Sequence, residues 1–156
     1  MSAQHLHLSR LTHILVDNPI YFITTCTHER RRILACAEVT AILQDEFVIA
    51  KTRHGWHIGR YVVMPDHVHF FCRPARTSWK PLAGFMRQWK QWTSKRIAKR
   101  IECDQPIWQK EFFDHLLRSD ESYAAKWSYV SNNPVRAGLV ALVEEWPYQG
   151  CVDFDV

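Results

Sequence analysis

Apolar positions recur along this chain at two spacings, and the switches between them predict its elements. Residues 18–27, NPIYFITTCT, carry β-branched and aromatic side chains in near alternation, the period of a strand. Over 36–55 the spacing becomes helical: Val39, Ile42, Leu43, Phe47 and either Ile49 or Ala50 fall on one stripe, and Gly55 supplies a stop. Strands follow at 56–64 and 67–73. The turn signal Pro65-Asp66 between them predicts antiparallel pairing. From 79 to 101 the helical spacing returns, with Leu82, Phe85, Met86, Trp89 and Thr93 on one face and Lys80, Arg87, Lys90 and Lys95 opposite or beside it. Residues 106–118 read as a short strand and a loop. A helix is predicted over 120–133, capped by Ser119, favoured at its positive end by Asp120 and Glu121, and ended where Asn133 precedes Pro134. Beyond it lie a turn at Gly138 and a short packed segment with Trp146 and Tyr148.

The order strand–helix–strand–strand–helix–strand, then helix, predicts an α+β fold. It is the ferredoxin-like pattern, an antiparallel sheet with helices packed on one face. Nothing in the sequence reads as a linker, so residues 1–156 are expected to form one domain, with 1–16 a flexible leader.

Charge sharpens this picture more than composition does. The net charge is +4, but between Arg76 and Ile101 there are eight Lys/Arg and no acid, and Arg30, Arg31 and Arg32 form a second cluster. With seven tryptophans in the chain, basic stretches interleaved with aromatics suit nucleic acid, where cations meet phosphates and rings meet unstacked bases. The plainer reading is a solvated basic surface over a tryptophan-rich core. The five cysteines (26, 36, 72, 103 and 151) contain no CxxC, which argues against a zinc knuckle or a disulfide framework. No apolar run approaches the roughly 20 residues of a membrane span, and the first residues lack a signal-peptide layout. A cytoplasmic protein without a membrane partner is expected.

One stretch, RYVVMPDHVHFFCRP at 60–74, carries the candidate chemistry. On a strand, residues two apart point the same way, so His67 and His69 project together. Paired neutral imidazoles can chelate a metal, and they can equally be hydrogen-bonded surface residues. His5 and His7 share the spacing but lie in the expected leader, where no rigid element holds them. On the 120–133 helix, Tyr123, Trp127 and Val130 form the expected core side. Lys126, Tyr129 and Asn133 share another face, with phenol and carboxamide four residues apart. An Asn133 oxygen beside two imidazoles would suit Mg²⁺ or Mn²⁺ meeting a phosphate. Taken alone, Tyr129 also reads as an ordinary surface tyrosine.

Three ordered motifs, YVVMPDHVHFF, IWQKEFFDHLLR and YVSNNPVRAGLV, resemble the REP-associated tyrosine transposases, members of the single-tyrosine HUH transposase group, over roughly residues 17–150. The resemblance implies that His67 and His69 bind a divalent metal, Mg or Mn, that Tyr129 on a C-terminal catalytic helix is the nucleophile, and that Asn133 completes the metal site. It implies a nick that leaves a 5′-phosphotyrosine and a free 3′-OH on single-stranded DNA beside a REP-type hairpin. A free phenol, with a pKa of about 10, needs help to lose its proton at pH 7; Lys126 could provide it as a nearby cation, or could simply be solvated. Asp66 could orient His67 or shape the turn, and His115 could assist the site or hold structure. Asn132 is an alternative ligand, and Tyr123 a weaker rival for the nucleophile. Arg87, Lys90 and Lys95 are expected on the DNA backbone, and Arg30, Arg31 and Arg32 on the stem. Monomer and homodimer are both open. Two other functions fit the same residues: a non-catalytic hairpin or single-stranded DNA binder derived from a transposase, and a metal-dependent hydrolase with water as nucleophile.

Overall fold

A computed structural model of the chain describes residues 19–75, 80–118 and 120–155. The expected leader, its His5 and His7, and the Ser119 cap lie outside the described residues. Five strands, β1 (Ile20–Cys26), β2 (Trp56–Val63), β3 (His67–Pro74), β4 (Phe113–Leu117) and β5 (Gln149–Cys151), form one sheet. Its order is β4-β1-β3-β2-β5 and every pair is antiparallel. The first four strands with their two intervening helices have the predicted α+β, ferredoxin-like arrangement.

Those helices, α1 (Ala37–Arg53) and α2 (Leu82–Ile101), cover one face. The predicted stripes are buried there, with Ala50 rather than Ile49 completing the one on α1. Trp89 of α2 stacks on Phe47 of α1, ring centroids 5.5 Å apart, and both meet Phe70 of β3. Aromatic pairs at this spacing add about 0.5–1.5 kcal/mol to the area they bury. Gly55 ends α1 with φ +75°, a conformation that costs glycine little.

The opposite face of the sheet carries α3 (Asp120–Ser131) and the C-terminal segment, packed through Phe22, Val62, Phe71, Tyr123, Val130, Trp146 and Phe154. The predicted 120–133 helix divides here. Its hydrogen bonding stops at Ser131, and the chain turns at Asn132 into a short helix α4 (Asn133–Arg136). Pro134 therefore opens a helical turn instead of following a helix end, a position where its missing N–H costs nothing.

The short packed segment of the tail proves to be β5, added at the β2 edge. Gly150 permits it: a Cβ there would lie 2.7 Å from the Tyr61 hydroxyl. The chain then runs on beside β2, with the Asp153 carboxylate accepting from the Ile58 N–H at 2.9 Å. A bulge between Ile58 and Tyr61 contains Gly59, whose Cβ would meet the Phe154 ring at 2.8 Å.

Candidate active site

Strand register assembles the site. Directly opposed residues of an antiparallel sheet share a face. Phe113, Thr24, His69 and Val62 make one row across four strands, and His115, Phe22 and Phe71 make the next. Cys26 pairs with His67. The two histidines and His115 thus lie on the α3 face, while Val68 and Phe70 turn toward α1 and α2.

The imidazoles of His67 and His69 stand edge to face, centroids 4.8 Å apart. Each has its Nδ1 engaged: that of His67 lies 2.7 Å from the Asp66 carboxylate, and that of His69 lies 2.7 Å from the Thr24 hydroxyl. This fixes both rings and leaves the two Nε2 atoms as the available donors. Asp66 also accepts from Arg30 Nε at 3.0 Å. Burial alone would push the Asp66 carboxyl up, but the hydrogen bonds from His67 and Arg30 outweigh it and hold the group below the usual carboxylate range. Its backbone carbonyl takes the Thr27 N–H at 2.9 Å, so Asp66 both shapes the turn and holds His67. Desolvation, reinforced by the charges of His67, Lys126 and Arg136, pushes His69 down to about 3. At neutral pH it is an uncharged imidazole, the form that binds metals.

The C-terminal helices reach this pair through stacked contacts. Phe22 lies against His69, centroids 5.3 Å apart and nearly parallel, and Lys126 Nζ sits 4.7 Å above the Phe22 ring. Tyr129, on the same turn of α3, is 65% exposed. Arg136, which the sequence reading did not single out, ties Tyr129 to Asn133. Its guanidinium lies 4.0 Å over the Tyr129 ring, donates to the Tyr129 carbonyl at 2.8 Å and donates to the Asn133 amide oxygen. Asn133 is half-buried and Asn132 is exposed. The rival Tyr123 is buried, its hydroxyl accepting from the Arg60 N–H, and desolvation pushes it up to about 12.

Among the described residues, no group of three or more His, Cys, Asp or Glu is placed to hold a metal. Two imidazoles with fixed Nδ1 atoms nevertheless fit a divalent cation, with amide or phosphate oxygens completing its shell.

The basic residues divide by what they already hold. Arg31 donates to the carbonyls of Asp104 and Pro106 at 3.1 and 2.6 Å. The Lys90 ammonium reaches the carbonyls of Gln109, Lys110 and Glu111 at 2.7, 3.3 and 2.9 Å, and its burial pushes it down to about 8. Neither side chain is the free surface cation that the sequence suggested. Arg32, Arg87 and Lys95 are exposed, and Arg30 keeps a half-exposed side chain while bound to Asp66. His115 is exposed two residues from Phe113 on the site face.

A ferredoxin-like sheet thus carries paired imidazoles on one strand and is faced by a helix bearing an exposed tyrosine, and the family to which such a chain belongs makes it a DNA-processing protein of the transposase class. The chain belongs to the IS200-like transposase family, whose model matches residues 15–133. It is 26% identical over 144 residues to a REP-associated tyrosine transposase of Escherichia coli (strain K12), covering 90% of this chain and 81% of that protein. It is 29% identical over 97 residues to a putative REP-associated tyrosine transposase of Haemophilus influenzae, covering 55% of this chain and 53% of that protein, about half its length. A solved REP-associated tyrosine transposase bound to a REP hairpin superposes with a TM-score of 0.68 at 22% identity, covering 86% of this chain and 77% of that one. A putative transposase from Deinococcus radiodurans gives a TM-score of 0.56 at 22% identity, covering 75% and 92%. No helix among the described residues is long and apolar enough to cross a membrane.

Proposed function

We propose that the chain is a divalent-metal-dependent nicking and rejoining enzyme for single-stranded DNA beside a REP-like hairpin, with Tyr129 as nucleophile. The observation that carries this reading is the pairing of His67 and His69, each fixed through Nδ1, on the sheet face that also receives α3 and its exposed Tyr129.

His67 and His69 would hold Mg²⁺ or Mn²⁺ through Nε2, with Asn133 as a further oxygen ligand. The ion when bound polarises the scissile phosphate and offsets its transition-state charge. Tyr129 Oη forms a bond to phosphorus as the bond to the 3′ oxygen breaks, leaving a 5′-phosphotyrosine and a 3′-OH. Because one phosphodiester replaces another, the strand can be rejoined without ATP. Arg136 lies over the phenol ring, while Lys126, three residues before Tyr129 on α3, lies over the Phe22 ring beside His69. Arg136 also holds the backbone at Tyr129 and the amide of Asn133, so it positions both.

The test is covalent capture. Hairpin DNA with a single-stranded flank is incubated with Mn²⁺ and resolved under denaturing conditions. A protein–DNA adduct lost in Tyr129→Phe supports the reading. Cleavage persisting in Tyr129→Phe would assign water as the nucleophile, and binding with neither cleavage nor adduct would assign a non-catalytic binder.

A further inference from the structure

Phe113 is 56% exposed on the edge strand β4. Its Cα pairs with Thr24, the residue that holds His69, so its ring stands on the site face in the same row as that imidazole. Two strand spacings of about 4.8 Å place it roughly 10 Å from His69. Phe113, Thr24, Cys26, Gln109 and Glu111 line a cavity of about 330 Å³. A second cavity of about 460 Å³, lined by Arg87, Lys95, Lys110, Gln91 and Gln105, shares Gln109 with the first. The two adjoin at Gln109 and together trace a path from the basic groove beside α2 to Thr24, the partner of His69.

The ledge between them is fixed from both sides. Gln109 donates its side-chain amide to the Thr27 carbonyl at 3.2 Å, and its backbone N–H to the Cys26 carbonyl at 2.9 Å. Lys90 gathers the carbonyls of residues 109–111 from the α2 side. The polarity is graded along the path: four cations and three amides in the groove, then one carboxylate, Glu111, beside an open aromatic ring. Phosphates suit the first part, and bases, which offer π-faces and amino groups, suit the second.

We infer that this path carries the single-stranded flank of the substrate, with Phe113 as the platform on which a base stacks next to the scissile phosphate. The inference rests on the proposed function and adds where the unpaired strand runs.

Binding of hairpin DNA with and without the flank, measured by fluorescence anisotropy in EDTA, tests it. Phe113→Ala and Phe113→Leu should weaken the flanked hairpin about five- to 100-fold, leave the blunt hairpin unchanged, and abolish the quenching of 2-aminopurine placed in the flank. Phe113→Trp should keep wild-type affinity and quenching. Leucine preserves apolar bulk without a π-face, so wild-type binding by Phe113→Leu, or by Phe113→Ala, overturns the inference. Because EDTA removes chemistry from the readout, a wild-type protein that forms no adduct yet discriminates the flank would sink the nicking reading and leave the platform standing.

Discussion

Replacing Asp66 with alanine removes the acceptor from His67 Nδ1 and also releases Arg30. The lost bond is 2.7 Å long and charge-assisted. Hydrogen bonds to charged groups contribute about 1.5–3 kcal/mol, which is roughly 10- to 100-fold in an equilibrium constant. Loss of such a partner behind a ligating histidine costs metal affinity by a similar 10–100-fold, so the two routes agree. Thr24 plays the matching part for His69, but its bond to the imidazole is between neutral groups. Thr24→Val should therefore cost less, about 0.5–1.5 kcal/mol, or roughly three- to tenfold. The assay is Mn²⁺ titration by calorimetry on protein without DNA, repeated as the Mn²⁺ midpoint of adduct formation. Asp66→Ala should shift both midpoints upward by the larger factor and Thr24→Val by the smaller. Unchanged Mn²⁺ affinity in Asp66→Ala would refute the argument that the histidine pair is held for a metal by its Nδ1 partners.

Three further outcomes follow from groups outside that pair. His54 is 2% exposed and held down to about 4 by desolvation and by the nearby charges of Lys80 and Arg53. Its unfolded value of about 6.5 is higher, so as pH falls the unfolded chain protonates first, and up to about 3 kcal/mol of stability is lost between about pH 6.5 and 4; urea melts should show a shallower loss over this window in His54→Gln, and an identical slope would count against it. Lys90→Met leaves three carbonyls without their donor and should lower stability by about 1–3 kcal/mol while speeding amide exchange near residues 109–111. By contrast Arg87→Ala should leave stability unchanged and reduce the salt slope of DNA binding by about 0.7–0.9; the reverse assignment of the two effects would show that Lys90 is the phosphate contact.

Much of this architecture was legible because periodicity reports burial. The stripes of α1 and α2 and the alternation of β1 and β3 name the core residues almost one by one. The projection of His67 and His69 to one face follows from the same pleat. What escaped was everything set by residues far apart in sequence. Thr24 is an unremarkable strand threonine until the β1–β3 register places it at His69. Arg136 stands seven residues beyond Tyr129, and only the turn at Asn132 brings its guanidinium back over that ring. β5 is three residues long, too short to show a period, and depends on a glycine that tolerates the Tyr61 hydroxyl. Lys90 and Arg31 looked like solvated cations because the sequence gives no sign of the carbonyls that the 104–111 segment turns toward them.

The same packing bears on whether Tyr129 serves the histidines of its own chain. Before α3 the chain belongs to β4 at one edge of the sheet, and after α4 it returns to β5 at the other. Between these edges α3 is fastened to its own sheet: Tyr123 lies 4.4 Å from Phe71, Phe154 closes over it, and Arg60 reaches Trp127 while pairing with Asp155. Delivering Tyr129 to a second molecule would expose at least Tyr123 and Val130. At about 1.5–3 kcal/mol for each buried side chain, that is roughly 3–6 kcal/mol, which keeps the undocked helix below about one molecule in 100. Mixing Tyr129→Phe protein with His67→Ala protein joins an intact histidine pair to an intact tyrosine on different chains. The expected yield of adduct from the mixture is no more than about 1% of wild type, and substantial restoration would mean that the helix is exchanged between copies despite its fastenings.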